Sequence, residues 1–179
     1  GRMASTQPTA LESIQDLLIQ VHASNPFYRT KWDRSNGFEG GFKVPASLEA
    51  FAATIPFTHK QELVADQAAN PPYGTNHTFP LASYTRCHQT SGTSGKPLRW
   101  LDTPQSWGGM VEDWATVLRA AGVQPGDRIL FAFSFGPFLG FWLAFEAAQS
   151  LGCLCIPAGG MATALRARVL AENQCQVLC

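Results

Sequence analysis

The sequence predicts an α/β fold. A helical N-terminal region, residues 1–82, is expected to precede a hairpin and the start of a doubly wound parallel sheet over residues 83–179. Three features predict this. Apolar residues recur at helical spacing near the N-terminus and again after residue 103. From residue 129 onward, short uncharged apolar runs alternate with helix-length segments, the pattern of strands buried on both faces of a parallel sheet. Between these parts lies the polar stretch Gln89-Thr90-Ser91-Gly92-Thr93-Ser94-Gly95-Lys96-Pro97, flanked by strand-like sequence.

Residues 8–21 read as a helix, with Leu11, Ile14, Leu17, Leu18 and Val21 on one face. Asn25-Pro26 is expected to stop it, because the residue before proline is pushed out of the helical region. Phe27, Tyr28 and Trp32 then cluster as packing groups, and residues 35–44 are a Gly-rich loop. Ser47 caps a short helix over 47–53, and Ile55-Pro56-Phe57 is extended. Thr58 opens a further helix, with Gln61 completing a capping box. Lys60, Glu62 and Asp66 are expected to face solvent while Leu63 and Val64 pack. Residues 70–74 are loop.

Strands are expected over 84–90 and 97–101. Thr103-Pro104 opens a helix whose apolar stripe is Trp107, Met110, Val111, Trp114, Val117, Leu118 and Ala121. Gly122 closes it, and Gln124-Pro125-Gly126-Asp127 is a turn. A strand over 129–133, a helix over 138–150, a strand over 153–156, a helix over 162–172 and a strand beginning at 177 complete the pattern.

The composition bounds the function. The 179 residues are 45% hydrophobic and 15% charged, the balance of a globular chain. Thirteen basic residues meet thirteen acidic ones, so no basic field points to nucleic acid. Five cysteines, an odd number without a preceding secretory signal, point to a reducing, cytoplasmic setting. Gly1-Arg2 reads as an appended scar ahead of a native Met3. Residues 129–145 carry no charge over 17 positions, but Gly136-Pro137 interrupts them, so strand, turn and helix are expected rather than a membrane span. The chain ends inside its last apolar strand, so it is expected to be the first part of a larger protein.

The polar stretch holds the clearest chemistry. Glycines let backbone amides converge, hydroxyls add donors, and Lys96 adds charge, which together suit an anion. The Walker pattern fails, because two residues rather than four separate Gly92 from Gly95, and Pro97 follows Lys96. The dinucleotide fingerprint is absent as well. By composition alone the stretch fits a hairpin turn equally well.

The string Thr-Ser-Gly-Thr-Ser-Gly-Lys-Pro resembles the phosphate-loop signature of adenylate-forming enzymes, which join a carboxylate to ATP as acyl-AMP and release pyrophosphate. Arg86-Cys87-His88, Asn25-Pro26-Phe27-Tyr28-Arg29, residues 55–63 and Leu151-Gly152-Cys153-Leu154-Cys155-Ile156-Pro157 are similar to phenylacetate–CoA ligases and their close relatives. The resemblance runs from about residue 11 onward. It implies an incomplete adenylation domain, with residues 83–179 as the first part of its α/β subdomain. It implies ATP, Mg²⁺ and CoA as cofactors of the whole protein, and a small carboxylic acid as substrate. Thr90, Ser91, Gly92, Thr93, Ser94, Gly95 and Lys96 would hold the ATP phosphates, with Mg²⁺ bridging those phosphates. No metal ligand and no catalytic residue is expected in this part, and the fragment is expected to be inactive alone. Neither nucleic acid nor membrane is an expected partner, and a homodimer stays open.

The resemblance also places an acyl pocket at Phe135, Gly136, Phe138, Gly140 and Phe141, after a predicted parallel strand. Phe141 and Trp142 are bulkier than the residues usual in the family, and Phe145-Glu146 replaces its His-Tyr pair, which argues against phenylacetate itself. Each of these aromatics also fits a plain core. Cys153 and Cys155 alternate along a strand and read as small buried thiols, and Cys87 reads as a packing residue. His88 is expected to bond a neighbouring strand or to approach the nucleotide. Trp100 and Trp107 fit strand and helix packing, while Arg166 and Arg168 read as a solvated face.

Overall fold

A computed structural model describes residues 8–35, 40–90 and 95–179. The chain divides into two compact units, Gly1–Ser83 and Tyr84–Cys179.

The first unit is helical. Helix α1 (Ala10–Ser24) is opened by Thr9, whose amide donates to Glu12 Oε2 at 2.7 Å while the Glu12 amide donates to Thr9 Oγ1 at 3.3 Å. This reciprocal pair satisfies two of the donors that a helix start leaves free. Asn25 ends α1 by donating its amide to Val21 O at 2.8 Å. It also starts α2 (Pro26–Asp33), accepting from the Tyr28 amide at 3.2 Å with Pro26 at the first helical position. The expected stop is therefore also a start, because a proline lacks only an amide that no first-turn residue needs.

The expected aromatic cluster is the inner face of α2. Trp32 is buried, 5.2 Å from the rings of both Tyr28 and Phe42, and packs with Leu18 of α1. Helix α3 (Leu48–Thr54) carries its predicted Ser47 cap. Helix α4 (Lys60–Ala69) starts one residue later than expected, at His59, whose amide donates to Glu62 Oε2 at 2.7 Å. Glu62, not Gln61, closes that turn. Two residues expected to face solvent are engaged: Glu62 pairs with Lys31, and Asp66 accepts from the Thr75 amide and hydroxyl at 2.7 and 2.8 Å.

The second unit begins with an antiparallel hairpin of β1 (Arg86–Gln89) and β2 (Arg99–Asp102), in register Arg86 with Asp102 and His88 with Trp100. Helix α5 (Pro104–Ala120) follows its Thr103 cap. Strands β3 (Arg128–Phe131), β4 (Leu154–Pro157) and β5 (Val177–Leu178) form a parallel sheet with β3 in the centre. Helix α6 (Leu139–Ser150) joins β3 to β4, and α7 (Thr163–Glu172) joins β4 to β5. The two crossovers step in opposite directions across the sheet. Right-handed connections therefore place α6 and α7 on opposite faces, the doubly wound arrangement.

The core of this unit lies between α5, α6 and one face of β3. Ala115, Leu118, Val123, Ile129, Phe131, Ala144, Ala147 and Ala148 are its buried members. The apolar stripe of α5 differs from expectation at three positions: Ala115 is fully buried, while Val117 and Ala121 are exposed. The stripe runs through Trp107, Val111, Ala115 and Leu118, and Val117 falls a turn's edge away from it at 100° per residue. The uncharged run 129–145 becomes β3, a loop and the first half of α6. No helix among the described residues is long and apolar enough to cross a membrane.

Candidate functional site

The β1–β2 hairpin presents the polar loop. The Thr90 amide donates to Leu98 O at 3.0 Å, and the Leu98 amide donates to Thr90 Oγ1 at 3.0 Å. Thr90 thus uses one lone pair of its hydroxyl to close the loop, and its hydroxyl hydrogen is the group it could offer an anion. Gly95 has φ +140°, a backbone conformation that favours glycine, and both Gly95 and Lys96 are exposed. Ser91, Gly92, Thr93 and Ser94 lie outside the described residues.

The end of β1 is tied to the β3–α6 loop, because the Gln89 amide donates to Pro137 O at 2.9 Å. That loop holds the expected acyl-pocket residues. Gly136 has φ +53°, and its carbonyl accepts from Trp142 Nε1 at 2.9 Å. Phe135 lies among Phe133, Trp142 and Phe145 at ring distances of 5.5, 4.8 and 5.2 Å. Phe141 stacks on Phe133 at 4.3 Å, and Phe138 meets Phe141 edge-on at 6.1 Å. Most of the aromatic surface is therefore turned on itself. A cleft of about 320 Å³ lies beside it, lined by Arg86, Cys87, His88, Gly136, Pro137 and Trp142. Of the five expected pocket residues, only Gly136 lines this cleft; Phe135, Phe138, Gly140 and Phe141 do not.

The β4–α7 loop approaches from the other side. A Cβ on Gly159 would stand 2.9 Å from Phe133 O and 3.1 Å from Ser134 Cα. The loops that follow β3 and β4 thus meet at the C-terminal end of the parallel sheet.

Under the hairpin lies a polar cluster that centres on Glu146 of α6. Arg86 Nη2 stands 2.8 Å from Glu146 Oε1 and 3.1 Å from Oε2, and Trp107 Nε1 donates to Oε2 at 2.6 Å. The Arg86 guanidinium sits 4.2 Å over the Trp107 ring, whose other neighbour is His88, stacked at 4.9 Å. His88 and Asp102 are buried, and His88 Nδ1 and Asp102 Oδ2 have no hydrogen-bond partner among the described residues. Burial pushes the His88 pKa below its ordinary 6.5; the Arg86 charge adds to this, while Asp102 and Glu146 oppose it.

Sequence reasoning noted Glu146 only as a departure from the family's His-Tyr pair and gave it no partners, which lie sixty residues upstream and on another helix. Three further expectations are corrected. Cys87 is exposed rather than packed, because it points away from the Arg86 and His88 side of β1. Trp100 is largely exposed, whereas Trp107 is buried. Arg166 is not a purely solvated residue: its Nε donates to Ala158 O at 3.1 Å. Cys153 and Cys155 pack against the core, and burial raises the Cys155 thiol to about 11, so it stays protonated at neutral pH.

No protein-family model matches the chain. It is 33% identical to the phenylacetate–coenzyme A ligase of Escherichia coli K12 over 161 residues, which is 88% of this chain and 34% of that enzyme. It is 28% identical to the Pseudomonas putida enzyme of the same name over 172 residues, 94% of this chain and 36% of that one. Among solved structures, 2-hydroxyisobutyryl-CoA ligase in complex with 2-HIB-AMP and CoA matches with a TM-score of 0.78 at 31% identity, over 93% of this chain and 36% of that one. An open conformation of that ligase matches with a TM-score of 0.77. The chain thus spans about a third of the length of these relatives. The fold and the loop-bearing hairpin are those of part of an adenylate-forming ligase. Within that class the chain is phenylacetate–CoA ligase-like.

Proposed function

We propose that this chain is the N-terminal part of an ATP-dependent carboxylate–CoA ligase. Such an enzyme activates a small organic acid as acyl-AMP and then transfers the acyl group to CoA. The observation that carries this reading is the match of nearly the whole chain to about a third of CoA ligases, in sequence and in fold. A solved relative holds 2-HIB-AMP and CoA, an adenylate and the thiol of the second step.

The reaction asks two things of this part of the protein. Pyrophosphate leaves the α-phosphorus with growing negative charge, and fixed donors aimed at that charge lower the barrier. Lys96, Gly95, Thr90 and the loop residues 91–94 are the proposed donors. The acid must also lie in line with the phosphorus, and the cleft beside Gly136 and Trp142 is its proposed approach. Any Mg²⁺ is proposed to ride on the ATP phosphates. The free cysteines support a cytoplasmic setting for the enzyme.

Acid-dependent ATP–pyrophosphate exchange by the complete protein, across aryl, fatty and short hydroxy acids, tests the first half-reaction. Added CoA should then yield a thioester. Exchange without thioester would point to a different acceptor, and absence of exchange with every acid would defeat the reading. The 179-residue chain alone is expected to give no product.

A further inference from the structure

Glu146 stands about two helical turns behind the loop at Pro137. Its Oε2 accepts two hydrogen bonds, from Arg86 of β1 and Trp107 of α5, and the same Arg86 nitrogen forms an ion pair with Oε1. The Arg86 and Glu146 side chains are 34% and 27% exposed, so the carboxylate is sheltered but still reached by water. Strand β1 leads directly into Thr90 and the polar loop, and its last amide is bonded to Pro137. One carboxylate thus sits where the loop-bearing hairpin, the helix after it and the helix behind the acyl loop converge. A glutamine would keep one acceptor but lose the charge and, in place of the second oxygen, set an amide donor against Arg86.

We propose that Glu146 is a positioning residue that holds the hairpin and the β3–α6 loop in fixed relation, and through them the phosphate and acyl sites. It touches neither nucleotide nor acid and acts through Arg86 and the Gln89–Pro137 bond. The assignment of those two sites rests on the ligase reading above; the geometric lock does not.

Hydrogen exchange separates the two. In the 179-residue chain, Glu146→Gln should speed exchange at the Gln89 and Thr90 amides by about tenfold, the usual reach of a charge-assisted bond. The amides of Ile129 to Phe131 should keep their protection, and Glu172→Gln on exposed α7 should change neither set. Trp107→Phe, which keeps a ring but loses the donor, should shift the same amides in the same direction and serves if Glu146→Gln does not fold. Unchanged exchange at Gln89 and Thr90, or a parallel rise at every amide, would overturn the proposal. In the complete ligase, Glu146→Gln should lower kcat for pyrophosphate exchange about tenfold with little change in ATP binding. A wild type without exchange activity would defeat the ligase reading, while the amide ratios would still decide the lock.

Discussion

Three residues carry separable consequences. Lys96 is exposed beside the loop and free to reach an anion. In the complete ligase, Lys96→Ala should cost about 2 to 4 kcal/mol of transition-state stabilisation, the range for one fixed donor, read as kcat/KM for ATP. An unaltered value would reduce the loop to a turn. Gly159 has no room for a methyl group against the Phe133 carbonyl, because backbone cannot swing aside as a flexible side chain can. Gly159→Ala should destabilise the second unit by about 1 to 3 kcal/mol in urea denaturation, as overpacking does. Glu146, by contrast, should matter more to relative placement than to stability.

Among the elements, α2 shows how much one residue can organise. Asn25 caps the helix through Oδ1, while its Nδ2 donates to Asn76 Oδ1 at 3.0 Å and Thr78 Oγ1 at 3.3 Å. Asn25→Ala should cost at least the 1 kcal/mol or so of a lost cap, and more because it also removes a donor to the half-buried Asn76 and Thr78. A melting temperature within error of wild type would contradict this.

The same element marks the limit of sequence reasoning. Apolar periodicity announced α1 and α5, because burial imposes a repeat on the residues themselves. It missed α2, since Asn-Pro can end one helix or begin the next and local chemistry allows both. The parallel sheet was legible from uncharged runs such as Ile129 to Phe131, which only a two-faced interior explains. Gly136 lines the cleft beside Trp142, whereas the contacts of Glu146 with Arg86 and Trp107 arise only through tertiary packing and could not be read from spacing. Phe141, expected at the acyl pocket, stacks on Phe133, a contact that spacing cannot reveal.

At the scale of the molecule, the two units should answer acid in different windows. In the first, Lys31 and the His59 amide hold Glu62 below its ordinary 4.5. A lowered carboxylate contributes stability above its unfolded pKa and loses it as pH falls through the folded one, so this loss begins below about 4.5. In the second, His88 has a folded pKa below 6.5, chiefly through burial. The unfolded chain then takes up the proton first, so stability declines as pH drops beneath about 6.5. Denaturation followed from about pH 8 to about pH 3 should show the earlier decline in the second unit. His88→Phe should flatten that early part and leave the later one, which Glu62→Gln should flatten instead.

The seam between α5 and α6 is lined by Ala115, Ala144, Ala147 and Ala148, all deeply buried. Alanine has no rotamers to surrender when it is ordered, so this seam is set at the lowest entropic cost a side chain can impose. It also leaves no alternative arrangement for the seam to relax into. Helix α6 should then behave as a stiff lever, with Glu146 along its shaft and the Gly136–Phe138 loop at its tip. A larger residue at Ala147 would tilt the lever as a whole, moving a loop it never contacts.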